Sequence, residues 1–324
     1  MKRFWIFAIV LFWISSSGAA DAPPIPHIGV VSSSGDPRSP GPFIDAFRQK
    51  LRDLGYAEGK NVALDLRFAE GKLDRVPSLV EELARQNVSA LVVSSMPAIR
   101  AAKRATSAVP VIMLITVDPV ATGIIASLSR PGGNITGITS LNRDLRREAI
   151  DLLREAAPSA ARIGVLWNTE GRASASALKD YEALASTRKV QFQSLEVRGA
   201  APDLEGAFQA AAKGRAEALI VVGNPALSRH LKKIADMALE RRLPSISERG
   251  GYTAVGGLMD YSADYVENFR RLAVYVDKVL KGAKPGDLAI EKSTFHLAMN
   301  LKTAQQLGLS IPQAMQKRAD KVIR

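Results

Sequence analysis

The sequence predicts an α/β protein of two similarly built lobes facing one another across a cleft, and three observations carry that prediction. First, Ala90-Leu91-Val92-Val93-Ser94-Ser95-Met96-Pro97-Ala98 returns 128 positions later as Ala218-Leu219-Ile220-Val221-Val222-Gly223-Asn224-Pro225-Ala226. Second, Ile28-Gly29-Val30-Val31 is echoed by Ile163-Gly164-Val165-Leu166, and Val109-Pro110-Val111-Ile112 by Leu243-Pro244-Ser245-Ile246, in the same order and at nearly the same spacing. Third, short β-rich runs alternate with amphipathic runs of helical period almost throughout, the pattern of parallel sheets with crossover helices. An internal repeat of this length makes two domains of ordinary size out of 324 residues, each able to bury its own core.

In the first lobe, strands are expected near 27–31, 62–67, 90–93 and 110–114, with helices over Phe43–Leu54, Leu73–Arg85, Pro97–Thr106 and Val120–Leu128. Phe43, Phe47, Leu51 and Leu54 fall on one face of the first helix, and Gly55 ends it. Arg130-Pro131-Gly132-Gly133-Asn134 is a turn cluster, after which Ile135–Thr139 resumes as a strand and a first crossing between lobes.

In the second lobe, helix Leu145–Ala156 precedes strands near 162–167, 190–196, 217–222 and 244–246. Helices Ser174–Thr187, Asp203–Lys213 and Ala226–Arg241 separate them. A second crossing is expected at Leu258–Tyr261, before a long helix Asp264–Leu280, and a third near 288–294. The division that follows is residues 23–139 plus 262–290 for one lobe and 140–261 plus 291–324 for the other.

Lys2 and Arg3 precede an apolar run from Phe4 to Ile14, and small residues follow up to Ala22. This reads as a signal peptide over residues 1–22, cleaved after Ala20 or Ala22, and places the mature chain in a bacterial periplasm. The run is too short for the roughly 20 residues that span a bilayer. With no cysteine in the chain, disulfides, a thiol nucleophile and thiolate metal sites are excluded. Net charge is +12, or +10 once Lys2 and Arg3 leave by cleavage after Ala20. The basic residues are scattered in helical pairs such as Arg146-Arg147, Lys232-Lys233, Arg241-Arg242 and Arg270-Arg271, which read as solvated helix faces and not as a nucleic-acid surface.

Open parallel sheets bind ligands beyond the carboxyl ends of their strands. The repeat identifies those loops: Ser32 and Ser33, Ser94 and Ser95, and Asp118 in one lobe; Asn168, Asn224 and Glu248 in the other. Pro97 and Pro225 suit the first turn of a helix, whose free N–H groups and positive end favour an anion such as a carboxylate. Ser95 and Asn224 suit capping equally well. Asp118 and Glu248, beyond equivalent strands, are candidates for a ligand ammonium, and Trp167, Tyr252 and Tyr261 for stacking. Catalytic patterns are thin. His27, His230 and His296 have no metal-ligand spacing, and no nucleophile elbow, phosphate loop or dinucleotide fingerprint occurs, so no cofactor or metal is expected.

Glu58-Gly59-Lys60-Asn61-Val62, the run Ser127 to Gly137, the run Tyr275 to Pro285, and Asn300-Leu301-Lys302-Thr303-Ala304 with Leu307-Gly308-Leu309 closely resemble the tryptophan/tyrosine-type substrate-binding proteins of bacterial ABC transporters. The resemblance covers the mature chain and implies the type I periplasmic-binding-protein fold, two Rossmann-like lobes joined by a three-strand hinge. It implies a small-molecule ligand held by the strand-end loops, here Ser32, Ser33, Ser94, Ser95, Asp118, Asn168, Asn224, Glu248 and Tyr261. It also implies an ABC permease with its ATPase as partner; the chain is expected to be a monomer, and the scattered basic residues together with export give the expectation of no nucleic-acid partner. Relatives often carry Gly-Gly-Thr where this chain has Ser94-Ser95-Met96, and Gly before the aspartate where it has Val117, which leaves the ligand open beyond aromatic amino acids. Two other roles remain open: an exported ligand sensor, and an exported α/β enzyme with Asp118 or Glu248 as general base.

Overall fold

The structure, a computed structural model, describes residues 25–33, 36–169 and 172–324. The signal-peptide expectation lies outside the described residues.

Strands β1 (His27–Ser32), β2 (Ala63–Phe68), β3 (Ala90–Val93), β4 (Val111–Ile115) and β5 (Ile135–Thr139) come first in the chain, followed by β6 (Arg162–Asn168), β7 (Gln191–Val197), β8 (Ala218–Val221), β9 (Ser245–Ser247) and β10 (Met259–Ala263). The last are β11 (Glu291–Lys292), β12 (Phe295–Asn300) and β13 (Lys321–Ile323). They form two sheets, one of six strands in the order β11-β5-β4-β3-β1-β2 and one of seven in the order β13-β12-β10-β9-β8-β6-β7. Every pairing is parallel except β10 with β12. The interior strands are apolar on both faces because helices cover both, as parallel sheets require.

The helices are α1 (Pro42–Asp53), α2 (Val76–Arg85), α3 (Met96–Ala105), α4 (Asn142–Ala156), α5 (Arg172–Arg188), α6 (Leu204–Lys213), α7 (Pro225–Ser228), α8 (Leu231–Glu240), α9 (Tyr265–Leu280), α10 (Leu301–Gln306) and α11 (Gln313–Arg318). Helices α2 and α3 bury one face of the six-stranded sheet, while α1 and α9 bury the other. Helices α4 and α5 cover one face of the seven-stranded sheet, and α6 and α8 the second. The repeated glycines have one cause in both sheets. A Cβ on Gly29 would lie 3.0 Å from Leu83 Cδ1 of the covering helix α2, and one on Gly164 2.7 Å from Leu195 Cδ1 of the neighbouring strand β7, so each glycine makes room for a leucine.

Two expected helices are corrected. Residues 120–128 form turns, because Asp118 Oδ1 accepts the Val120 and Ala121 N–H groups and Gly123 takes φ +70°, which closes the chain before a helix can propagate. The helix expected over Ala226–Arg241 is two, the single turn α7 and then α8, divided at Arg229-His230.

The chain passes between the sheets three times: after β5 into α4, from β10 into α9, and from β11 into β12. Hydrogen bonds stitch these segments together. Ser293 N–H donates to Thr139 O (2.8 Å), and Asp264 N–H to Thr294 O (3.2 Å). Thr139, Ser140, Asn268 and Ser293 are all buried there, a polar seam between apolar cores.

Candidate functional site

A cavity of about 490 Å³ opens where the two sheets meet. From the six-stranded side come Phe43 and Tyr265, at the first turns of α1 and α9. The seven-stranded side supplies Glu248, Arg249 and Gly250 from the loop after β9, and Asp260, Ser262 and His296 from β10 and β12. Asp264, Asp320 and Lys321 also line it. The aromatic wall is contiguous: the Phe43 ring stacks on Phe269 at 5.5 Å and meets Tyr265 at 5.8 Å. A second cavity, of about 410 Å³, lies between the end of α1 and the loop leading to β2 and draws on the first lobe alone.

The cavity is rich in carboxylates. Asp260 is buried, and burial raises its pKa even though Oδ2 accepts both the N–H (2.9 Å) and the hydroxyl (2.8 Å) of Thr253. His296 stands between two more, with Nε2 3.4 Å from Asp264 and Nδ1 3.3 Å from Asp320. Because those carboxylates face opposite ring nitrogens, the three do not converge on one point; among the described residues no cluster of three or more His, Cys, Asp or Glu is arranged to hold a metal ion. Burial also pushes the Tyr265 phenol up.

Of the residues singled out from the sequence, Glu248 is in the cavity wall. Its Oε1 accepts Arg146 Nε (3.1 Å) and the Tyr181 hydroxyl (2.8 Å), and its Oε2 accepts the Gly223 N–H (3.0 Å). Asn224 caps α7 through Ala226 N–H (2.8 Å) and donates Nδ2 to Ser174 Oγ (3.1 Å). Asn168 is fully buried and donates to Gly199 O (2.8 Å). Asp118 is exposed and organises its own turn.

Ser32 and Ser33 end β1, half-buried, with their carbonyls taking Ala69 and Gly71 N–H groups. Ser94 is half-buried between β3 and α3. Ser95 occupies the N-cap of α3 in extended conformation, yet its hydroxyl makes no cap bond, and Oγ is buried without a partner. The expected dipole pair is therefore unequal: α3 has ten residues, whereas α7 is one turn of four and carries little macrodipole. Tyr261 stacks on Phe295 (5.5 Å) and packs with the α4 core; strand alternation puts it on the face opposite Ser262, away from the cavity. Trp167 and Tyr252 are buried, bonded to Ser194 (2.7 Å) and Ser245 (2.9 Å).

Sequence reasoning missed Phe43, Arg249, Ser262, Tyr265 and His296 as cavity residues, and Arg146 as a buried one. Arg146 was expected on a solvated helix face, but its side chain is 6% exposed. The signal for the strand residues was present: in Met259–Ala263, Asp260 and Ser262 alternate with Met259, Tyr261 and Ala263.

The profile of the ABC transporter substrate binding protein family matches residues 41–323. A curated tyrosine-binding protein of Clostridioides difficile is 26% identical over 251 residues, 75% of this chain and 70% of that protein. Two solved structures superpose with 24% identity, each covering 92% of this chain and 99% of their own: a conserved domain protein of Vibrio cholerae (TM-score 0.74) and a Streptococcus pneumoniae ABC domain in complex with L-Trp (TM-score 0.73). No helix among the described residues is long and apolar enough to cross a membrane. With its two-sheet architecture of the type I periplasmic-binding-protein kind, the chain belongs to the ABC transporter substrate-binding protein family.

Proposed function

We propose that this chain is the periplasmic solute-binding component of an ABC importer, and that it clamps an amino acid with an aromatic side chain between its lobes for delivery to a permease and its ATPase. The observation that carries the reading is the 490 Å³ cavity walled by both lobes, with an aromatic side and a carboxylate-rich side. Its volume falls within the range of small-molecule sites. The tyrosine-binding relative and the L-Trp-bound structure agree with that chemistry.

The ring is placed against Phe43 and Tyr265, and the ammonium against Glu248. Of the strand-end residues singled out from the sequence, Glu248 alone lines this cavity; Ser32, Ser33, Ser94, Ser95, Asp118, Asn168 and Asn224 lie outside its lining. A role for them, with the ligand carboxylate at the first turn of α3 beside the Ser95 hydroxyl, is a further part of the proposal, as is support of the wall by Tyr261. Residues 23–139 with 262–290, and 140–261 with 291–324, act as the two moving bodies. Contacts to both make the ligand favour the closed form, which the permease recognises. Export by the first 22 residues, a monomeric state, and binding without chemistry complete the proposal.

The test is a thermal-shift screen of the purified mature chain against amino acids, aromatic and aliphatic carboxylates, sugars and polyamines. Stabilisation by L-tyrosine or L-tryptophan is expected, and stabilisation by neutral sugars alone would refute it.

A further inference from the structure

Arg146 is buried on α4, far in sequence from the loops of the cavity, yet it reaches one of them directly. Its Nε donates to Glu248 Oε1 (3.1 Å) and its Nη1 to Asp180 Oδ2 on α5. With the Tyr181 hydroxyl also donating to Oε1 (2.8 Å), both lone pairs of that oxygen are used. Oε2 takes the Gly223 N–H (3.0 Å) and retains one lone pair. Glu248 is at the same time part of the cavity wall.

An ion pair buried this deeply is a costly way to pack a lobe, since apolar side chains of similar volume hold a core equally well or better. What it does supply is direction. Three fixed donors leave the Glu248 carboxylate a single orientation, and they bind the loops after β8 and β9 into one unit with α4 and α5. Within the bonded group one guanidinium faces two carboxylates, and Arg249 adds a second guanidinium in the neighbouring cavity wall. Burial by itself would lower the Arg146 pKa, but Glu248, Tyr181 and Asp180 outweigh it and hold it above its ordinary value, so the guanidinium stays charged.

We propose that Arg146 is a positioning residue for ligand selectivity: together with Tyr181 it aims the remaining lone pair of Glu248 Oε2 into the cavity as the acceptor for a ligand ammonium. The proposal rests on the cavity being the ligand site. It names the group that the open acceptor of Glu248 Oε2 would take on the ligand, a cationic amine.

The test uses the mature chain with Arg146→Met, Arg146→Lys and Glu248→Gln, and two readouts. The first is calorimetric affinity for L-tyrosine and for 3-(4-hydroxyphenyl)propionate, the same molecule without its amine. The wild type is expected to prefer L-tyrosine by at least about tenfold, Arg146→Met and Glu248→Gln to lose most of that preference, and Arg146→Lys to keep part of it. A preference unchanged in Arg146→Met, or an equal weakening of both probes, overturns the proposal, because a merely structural role does not distinguish the amine. The second readout needs no ligand: hydrogen exchange at the Gly223 amide is expected to quicken by about tenfold or more in Arg146→Met while Leu219 and Ile220 in β8 stay protected. Unchanged Gly223 exchange overturns the positioning role. If that exchange quickens while the wild type binds neither probe, the positioning stands and the aromatic amino-acid reading fails.

Discussion

Asn268 Nδ2 donates to Ser293 Oγ across 2.8 Å, and both side chains are buried where the chain passes between its two sheets. The pair ties the start of α9 to the segment between β11 and β12, while Asn268 Oδ1 is buried with no partner. Removing one member of a buried hydrogen bond leaves the other unsatisfied, at a cost of about 1–3 kcal/mol, whereas removing both in matched shape is nearly neutral. Asn268→Leu alone is therefore expected to lose about 2 kcal/mol, and Asn268→Leu with Ser293→Ala to regain much of it. Urea denaturation of the two single variants and the double variant checks this. Strict additivity would mean that the bond does not couple the two residues.

Gly137 in β5 adopts φ +134°, outside the range comfortable for other residues, and a Cβ there would overlap the backbone of Met113 in the neighbouring strand. The neighbour is a sheet backbone and cannot move aside as a flexible side chain would. Strain and overpacking each cost about 1–3 kcal/mol, so Gly137→Ala is expected to lower stability by about 3 kcal/mol or more, or to prevent accumulation of folded protein. A melting temperature within a degree or so of wild type would contradict the packing described for β4 and β5.

Asp260 gives a pH signature. Its pKa is raised, chiefly by burial, so its ionised form costs stability above the carboxylate range, and the cost disappears as pH falls through the folded-state pKa. An asparagine in its place would still accept both Thr253 donors through its amide oxygen. Asp260→Asn is thus expected to match or exceed wild-type stability near pH 7, with the advantage shrinking toward about pH 4. An advantage that grows on acidification would reverse the sign of the shift.

What the sequence revealed and what it hid divide along the repeat. Residues repeated in both halves, such as Ile28-Gly29-Val30 and Ile163-Gly164-Val165, sit in equivalent strands of the two sheets, because parallel strands buried on both faces write themselves as continuous apolar runs. Phe43, Tyr265, Ser262 and His296 belong to helix starts and crossing segments that have no second copy, so no comparison of halves points to them. Arg146 was hidden for another reason. Its helix is amphipathic with charges on most turns, and nothing local separates an arginine that reaches inward to Glu248 from its neighbour Arg147, which pairs with Asp144 at the surface. The break at Arg229-His230 was equally invisible, since α7 and α8 together keep one apolar stripe in Leu227, Ile234, Ala235 and Ala238.

The measurement that bears most directly on the whole account is small-angle X-ray scattering of the mature chain with and without saturating L-tyrosine or L-tryptophan. A cavity walled by both lobes predicts that the radius of gyration falls on addition of one of these amino acids and stays constant with glucose or ribose. Calorimetrically confirmed binding with no change in the radius of gyration, or closure driven by a sugar and by neither amino acid, would contradict it.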